Sequence, residues 1–257
     1  MAKKTKQSIS PWILFGVGTL LLTGGWLMKS FPLLIFAGLA PFFAIADEGK
    51  DNERFWNLSE LILGGLSISL FAAHLFEVKF LVVSISQAIA LTLAFVGYSF
   101  AYQSLGSRLG KFTIIIFWLG IEYVLVKLPY RNTVLFLADA LQLQSDWQSW
   151  NQYTGYLGSS LWILIVNLFL YLALLKGDKI NWFHFALAIL LLAGPISFSY
   201  FNEGNALTRV EMNDLYGGNI TTLDKEYVEH GELIPRTAAW VTVLILLLSL
   251  IKSKTKK

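Results

Sequence analysis

The feature that most constrains this chain is a series of apolar runs, each about long enough to cross a bilayer as a helix. A soluble domain of 257 residues could not bury this much apolar surface, because 55% of the residues are hydrophobic and only 14% are charged. We therefore expect an all-α, polytopic integral membrane protein with a single transmembrane domain over 1–257. The expected bundle has eight spans, at about 11–28, 31–46, 58–76, 80–100, 112–128, 156–175, 182–201 and 235–251.

Two connections between these runs are long enough to form a surface. Residues 129–155 have an amphipathic pattern, which is typical of an interfacial segment lying on the membrane. Residues 202–234 contain more carboxylates than basic side chains and predict a short acidic loop, with turn residues at 216–222 that favour a small hairpin. This loop is either a docking surface for a basic partner or a solvated loop from which Lys and Arg are excluded.

The positions of the basic residues indicate how the spans are oriented. If both termini lie in the cytoplasm, most of the 20 Lys and Arg residues lie there too, in agreement with the positive-inside rule. The connections at 129–155 and 202–234 then both face outward. The Lys-rich carboxyl end is interpreted as a cytoplasmic anchor.

The stretch 147–171, WQSWNQYTGYLGSSLWILIVNLFLY, contains both a surface and a span. Its first half is polar and aromatic, as at a membrane–water interface, and its second half is apolar. Its candidate lipid- or partner-binding residues are Trp147, Trp150, Gln152, Tyr153, Tyr156 and Trp162. Deep in the span, the amide of Asn167 requires a partner on another helix, because lipid offers none.

Glu122 and His74 are two further polar candidates within or near the apolar runs. An ionisable group at the depth of Glu122 is costly and is a functional hypothesis by default. The alternative is a structural carboxyl that ties its helix to a neighbour through Asn167, Gln87 or Tyr98. His74 lies near the end of the third run.

Several kinds of chemistry find no support in the sequence. The chain has no cysteine, which excludes a thiol nucleophile and thiolate metal ligands. The 3 histidines lack the spacing of a zinc site, so we expect no metal and no other cofactor. Ser159 and Ser160 lack a G-x-S-x-G frame and suit helix packing. The net charge of +3 is better explained by membrane orientation than by binding to nucleic acid.

Four motifs resemble the membrane domain of the bacterial apolipoprotein N-acyltransferase family. They are FPLLIFAGLAPFFAI at 31–45, WLGIEYV at 118–124, QYTGYLGSSLWILIVN at 152–167 and IPRTAAW at 234–240. The similarity is good over 110–257, fair over 1–57 and poor over 58–110, where a tryptophan-rich stretch is missing. It implies eight helices with cytoplasmic ends in the bacterial cytoplasmic (inner) membrane. Glu122 and Asn167 fit the family pattern, whereas Leu125 stands where the family usually has arginine.

The chain departs from that family where the chemistry resides. The family carries a nitrilase-like domain between its seventh and eighth helices, with a Glu-Lys-Cys triad that transfers an acyl chain from a phospholipid to a lipoprotein. Here only residues 202–234 occupy that interval, and the chain has no cysteine. A covalent acyl transfer of this kind requires an activated nucleophile and an adjacent base. The resemblance therefore implies the family's membrane scaffold without its catalytic domain.

Three functions fit this combination. The first is a pseudoenzyme, a non-catalytic relative that binds phospholipid, lipoprotein or a partner protein at the outer face of the inner membrane. The second is the membrane half of a split lipoprotein N-acyltransferase that acts with a separate catalytic subunit. The third is a structural or assembly subunit of an envelope complex.

Overall fold

The computed structural model describes residues 9–49, 55–202, 205–217 and 233–255, and within these ranges it contains helices and no strand. The α-helices are α1 (Pro11–Leu27), α2 (Ile35–Gly38), α3 (Ala40–Gly49), α4 (Phe55–Ala73), α5 (Leu81–Gly110), α6 (Thr113–Lys127), α7 (Asn151–Thr154), α8 (Tyr156–Leu170), α9 (Trp182–Phe201), α10 (Arg209–Gly217) and α11 (Leu233–Thr255). A π-helical turn, Tyr171–Leu175, extends α8. Short 3-10 turns occupy Pro32–Leu34, Val78–Phe80, Arg131–Thr133, Leu137–Leu141 and Ser145–Trp147.

Five helical segments of the described ranges are long and apolar enough to cross a membrane. They are Pro32–Gly49, Val78–Tyr102, Tyr156–Leu175, Trp182–Phe201 and Leu233–Lys252. Two shorter apolar helices, Pro11–Leu27 and Leu58–Ala73, accompany them, and α6 has 15 residues. Each apolar run is thus helical, and five helices of this kind indicate a membrane protein. The count of eight spans stays a prediction.

The main helix–helix contacts form one series and one separate pair. Helix α1 packs on α4, α4 on α5, α5 on α6 and α6 on α11, while α8 packs on α9. Large side chains fill the centre; Phe36, Phe43, Phe95 and Trp118 are each at most 2% exposed. The apolar side chains on the outward faces of α9 and α11 are largely uncovered, as expected for helices that face lipid.

The second apolar run is a broken helix, with α2 and α3 on either side of Leu39. The break exposes backbone groups, and the side-chain amide of Asn167 in α8 binds them. Its Oδ1 accepts from the backbone N–H groups of Leu39 at 2.7 Å and Ala40 at 3.0 Å. Its Nδ2 donates to the Ile35 carbonyl at 3.0 Å. Asn167 thus has the partner on another helix that the sequence predicts, and it ties α8 to both halves of the broken helix.

Most of the residues that connect the helices lie at one end of the bundle. Helices α1, α4, α6 and α9 finish there, and α8 begins there. We call it the connection end. Gln144 lies in the connection 129–155 and donates to the carbonyl of Ser30, at the turn after α1, over 3.1 Å. The opposite end contains the end of α3, the turn after α5 and residues 176–181.

The connection 129–155 differs from the expected amphipathic surface segment. It consists of three 3-10 turns and the short helix α7, and no continuous helix forms. Its middle part enters the core, where Phe136, Leu137 and Leu141 are at most 4% exposed. The physical reason is that side chains of neighbouring helices bind its backbone groups, which removes the cost of burying non-helical backbone.

The expected loop 202–234 is also partly helical, because α10 occupies Arg209–Gly217. Thr208 and Glu211 form a reciprocal cap at its start: the Thr208 N–H and hydroxyl each donate to Glu211 Oε2 at 2.8 Å. The Glu211 N–H lies 3.3 Å from the Thr208 hydroxyl oxygen, which accepts from it. This capping box starts the helix. Most of the hairpin predicted at 216–222 lies outside the described residues.

Candidate functional site

The candidate site is built around residues 131–141, which we call the buried connection. Buried backbone outside a helix or sheet needs hydrogen-bond partners from elsewhere, because each unpaired N–H or C=O costs about 1–3 kcal/mol. In this segment the partners are polar side chains from α5, α6, α8 and α10, one from the segment itself, and Gln148 from the later part of the connection 129–155. These side chains determine the shape of the connection end.

Gln87 on α5 and Glu122 on α6 bind one side of the buried connection. The Gln87 amide donates to the carbonyl of Leu135 and accepts from its N–H at 3.1 Å. Oε1 of Glu122 accepts from the Leu137 N–H and from the Trp118 indole N–H, each at 3.0 Å. The sequence predicts partners for a structural Glu122 carboxyl at Asn167, Gln87 or Tyr98. In the structure its partners are Leu137, in the buried connection, and Trp118, on the same helix.

Asp139 and Arg209 form a buried ion pair on the other side of the segment. Their side chains are only 4% and 14% exposed, and Arg209 Nη1 lies 2.5 Å from Asp139 Oδ2. Asp139 also accepts from the Tyr156 hydroxyl and from the Phe136 N–H, the latter at 2.7 Å. Burial raises the pKa of the Asp139 carboxyl, and the guanidinium of Arg209 opposes that rise. Arg209 therefore supplies the counter-charge for the buried carboxylate.

Arg209 also binds backbone, and it thereby fixes α10 to the buried connection. Its Nη2 donates to the carbonyls of Arg131 and Val134, both at 2.7 Å. Its guanidinium carbon lies 4.5 Å from the ring centroid of Phe136. One side chain from beyond α9 thus satisfies two carbonyls and one carboxylate, which fits the fixed fork of guanidinium donors.

A second group of amides extends the network toward α8. The Gln148 amide donates to the Leu141 carbonyl at 2.9 Å and accepts from the Ser159 hydroxyl at 2.8 Å. Asn151 accepts from the Leu207 N–H at 2.6 Å and donates to its carbonyl at 3.3 Å. The hydroxyl of Ser160, the other serine that the sequence assigns to packing, accepts from the Ala138 N–H at 3.1 Å.

The structure divides the six predicted binding residues by exposure. Tyr156 and Trp162 are buried, at 3% and 5% exposed. Trp162 packs edge-on against Phe36 and donates its indole N–H to the Leu191 carbonyl at 2.7 Å. Trp147, Trp150 and Gln152 are half-buried, and Tyr153 is 62% exposed. Tyr156 and Trp162 therefore support the surface from below, and Tyr153 is the member of the set that the surface presents.

Other exposed apolar side chains lie at the connection end. They come from the turns after α1, α4 and α6, from the connection 129–155, from the end of α9 and from α10. They are Phe31, Phe76, Tyr130, Leu143, Phe201 and Val210, all more than half exposed. The end of the bundle thus combines a hydrogen-bonded interior with an apolar and aromatic rim.

His74 lies at the same end, outside the described helices. Its ring stacks on Phe80 with centroids 4.4 Å apart. The next two residues, Leu75 and Phe76, have positive φ angles of 54° and 58°, a left-handed conformation that is strained for side chains of this size.

The geometry offers little space or equipment for catalysis around Glu122. The cavity that its carboxyl lines, together with Trp118 and Leu137, has a volume of about 10 Å³, no more than one water needs. Among the described residues no group of three or more His, Asp or Glu could hold a metal ion. The arrangement stabilises a buried backbone segment.

Asp139, Arg209, Gln148 and Asn151 belong to this site but were not predicted from the sequence. Asp139 had a detectable signal, since it is the one charged residue in the apolar run VLFLADAL at 134–141. A carboxylate so placed must find a cation or several donors. Arg209, Gln148 and Asn151 lie in polar stretches, and their sequence gives no such signal.

Comparison of the chain with protein-family models, with curated proteins and with solved structures finds no match. The resemblance to apolipoprotein N-acyltransferases therefore rests on the four sequence motifs.

Proposed function

We propose that this chain is a non-catalytic integral membrane protein whose connection end binds a lipid-modified protein or a phospholipid at the outer face of a bacterial inner membrane. The observation that carries the proposal is the exposed apolar rim of Tyr153, Leu143 and Phe201, held on a frame of buried hydrogen bonds. A rim of this composition suits an acyl chain or the apolar side of a partner.

The frame supports binding because it fixes the surface before a ligand arrives. Residues that would otherwise lose freedom on association are already held by Asp139, Gln148 and Asn151. A preformed surface lowers the entropic cost of binding. The turn after α1 and the start of α10 are tied to the connection 129–155 through Gln144 and Arg209.

The absence of a thiol nucleophile supports a binding role over acyl transfer by this chain alone. The sequence has no cysteine, and Oε1 of the Glu122 carboxyl already accepts two hydrogen bonds. A base that must accept a proton from a substrate needs space for that substrate, and the cavity beside Glu122 is too small.

The proposal includes eight membrane-spanning segments with both termini in the cytoplasm, and it places the connection end outside. The five long apolar helices support membrane insertion. The shorter helices α1, α4 and α6 reach the bilayer thickness when the turns that flank them are included, or where the bilayer thins locally.

A site-specific photo-cross-linking experiment tests this function. A photoreactive phenylalanine analogue is placed at Tyr153 or at Phe201, and the control carries it at Trp182. Phe201 and Trp182 lie at the two ends of α9 and are 86% and 69% exposed. They are therefore similarly accessible, and they differ in the end of the bundle at which they lie. We expect lipoprotein or phospholipid adducts from intact cells at Tyr153 and Phe201 at several times the yield at Trp182.

Two outcomes would contradict the proposal. Equal yields and equal products at Phe201 and Trp182 would mean that the connection end has no binding role beyond ordinary contact with lipid. Acylation of a lipoprotein by the purified chain without any other polypeptide would show that it is catalytic. A stoichiometric nitrilase-like protein cross-linked at Tyr153 would instead make the chain half of a split acyltransferase.

A further inference from the structure

Helix α9 contains a proline in its second half. Pro195 has no N–H, so the carbonyl of Leu191, four residues earlier, lacks the backbone donor that an α-helix would place there. Gly194 comes directly before the proline, and a Cβ atom at Gly194 would meet no other atom within 4 Å. Close packing therefore does not require this glycine. Its effect is on the backbone, because it removes the Cβ that would clash with the proline ring and permits bending.

A side chain from α8 supplies the missing donor. The indole N–H of Trp162 donates to the Leu191 carbonyl at 2.7 Å, and Trp162 is only 5% exposed. Without this donor the carbonyl would be unpaired in an apolar environment, which is costly. Trp162 thus holds α9 at the place where the hydrogen bonding of the helix itself is interrupted.

The ring of Trp162 is in turn held between two aromatic side chains. It packs edge-on against Phe36, with ring centroids 4.5 Å apart, and against Trp150, with centroids 5.7 Å apart. Trp150 is half-buried, and its carbonyl accepts from the N–H of Tyr153 at 3.0 Å. The position of the Trp162 donor therefore depends on the segment that presents Tyr153 at the connection end.

The last turns of α9 are held by weaker contacts. We call residues 196–201 the outer segment; it buries only Ser199, and Ile196 packs partly against the core. The Ser149 hydroxyl lies 3.5 Å from the carbonyl oxygens of both Ser199 and Asn202, which is long for a hydrogen bond. In the part of the chain that the structure describes, Ser199 Oγ and Asn202 Nδ2 are buried and have no hydrogen-bond partner. Since buried polar atoms are normally paired, an arrangement that pairs these two competes with the observed one.

We infer that Gly194 and Pro195 form a hinge about which the outer segment moves, and that the Trp162 N–H is the latch that holds the segment in place. A hinge needs only a few residues that absorb a change in backbone angles. The outer segment is about 9 Å long, so a bend of about 20–30° moves its end by about 3–5 Å. Because that end carries Phe201, the movement changes the shape of the apolar rim.

The purpose of the hinge rests on the proposed function, since the rim is the surface that binds. The movement itself does not rest on it, because it can be measured in detergent with no phospholipid or lipoprotein present. An immobile outer segment would leave the proposed function intact, and a mobile one would not rescue that function if the cross-linking at Phe201 failed.

Pulsed electron–electron double resonance on the detergent-purified full chain tests the hinge. The chain has no cysteine, so two introduced cysteines carry the only spin labels. One label is placed at Val124 on α6, and the other at Tyr200 beyond the hinge or, as the control, at Leu190 before it; all three positions are more than half exposed. Trp162→Phe keeps an aromatic ring and removes the N–H. We expect it to broaden the 124–200 distance distribution by about 3–5 Å and to leave the 124–190 distribution unchanged.

Pro195→Ala is the matched second variant, because it restores a backbone N–H for the Leu191 carbonyl. Combined with Trp162→Phe, it should return the 124–200 distribution to the width seen in the unmodified chain. By itself it keeps every side chain of α8, and it should narrow that distribution, since a continuous helix does not bend at this point.

Three results would overturn the inference. They are an unchanged 124–200 distribution in Trp162→Phe, an equal change in the 124–190 and 124–200 distributions, and a double variant that stays as broad as Trp162→Phe. If Trp162→Phe does not fold, Pro195→Ala alone decides, and an unchanged 124–200 width in that variant contradicts the hinge.

Discussion

The buried connection 131–141 and helix α9 differ in what holds them in place. Helix α9 satisfies nearly all of its own backbone hydrogen bonds, the exception being the Leu191 carbonyl, which Pro195 cannot pair and which accepts from the Trp162 indole N–H at 2.7 Å. It buries only Ala188 and Ser199. The buried connection has non-helical backbone whose N–H and C=O groups depend on side chains from four other elements. In an apolar environment a helix needs few specific partners, whereas a folded connection needs each of its partners. Single substitutions should therefore matter far more in the second region.

Removal of the Asp139–Arg209 ion pair should cause the largest loss of unfolding free energy. Arg209→Met leaves the Asp139 carboxylate buried without its cation and leaves two carbonyls unpaired, and we expect a loss of about 3–5 kcal/mol in unfolding free energy. Reversible unfolding in mixed detergent micelles measures it. The double variant Asp139→Leu/Arg209→Met should regain part of the loss, because the uncompensated charge is gone. If Arg209→Met costs no more than a lipid-facing change in α9, the pair does not hold the connection.

Matched leucine truncations compare the two regions directly. Leu141 in the buried connection is fully buried, and Leu190 in α9 is 65% exposed. Leu141→Ala leaves a cavity and should cost about 2–5 kcal/mol, whereas Leu190→Ala should stay within about 0.5 kcal/mol. The same unfolding assay measures both. Equal costs would mean that the connection relaxes around the cavity or that another molecule covers α9.

Glu122 permits a test of hydrogen bonding with little change in size. Glu122→Gln retains an oxygen that accepts from Trp118 and Leu137, whereas Glu122→Leu leaves both donors unpaired. We expect Glu122→Leu to be less stable than Glu122→Gln by about 1–3 kcal/mol. Hydrogen exchange at the Leu137 N–H reports the same loss locally. If the Gln variant unfolds as readily as the Leu variant, the carboxylate charge is essential, and the structural role assigned to Glu122 is incomplete.

The apolar runs predicted where helices form, because backbone hydrogen bonding within a run depends on local sequence. The π-helical turn at Tyr171–Leu175 and the break at Leu39 were not predicted. The break depends on the side chain of Asn167, which lies 128 residues away in sequence. Helix α10 was missed although its signal was present: Thr208 and Glu211 have the spacing of a capping box.

The residues of the site were harder to predict from the sequence than the positions of the helices. Glu122, Asn167 and His74 stood out because polar groups in apolar runs are costly. Their partners did not, because Leu137 is 15 residues from Glu122 and Leu39 is 128 residues from Asn167. The burial of 134–141 resulted from such distant pairs. An amphipathic pattern cannot distinguish a segment that lies on a membrane from one that is covered by other side chains.

The partnership between Asn167 and the broken second helix also sets an order for biosynthesis. The Leu39 and Ala40 amides emerge from the ribosome 128 and 127 residues before the side chain that binds them. At about 5–20 residues per second, this leaves the break without its cap for roughly 6–26 s. Under the proposed topology, the first two apolar segments enter the membrane before the side chain that caps the break, and they reach their final geometry only after α8 has been inserted.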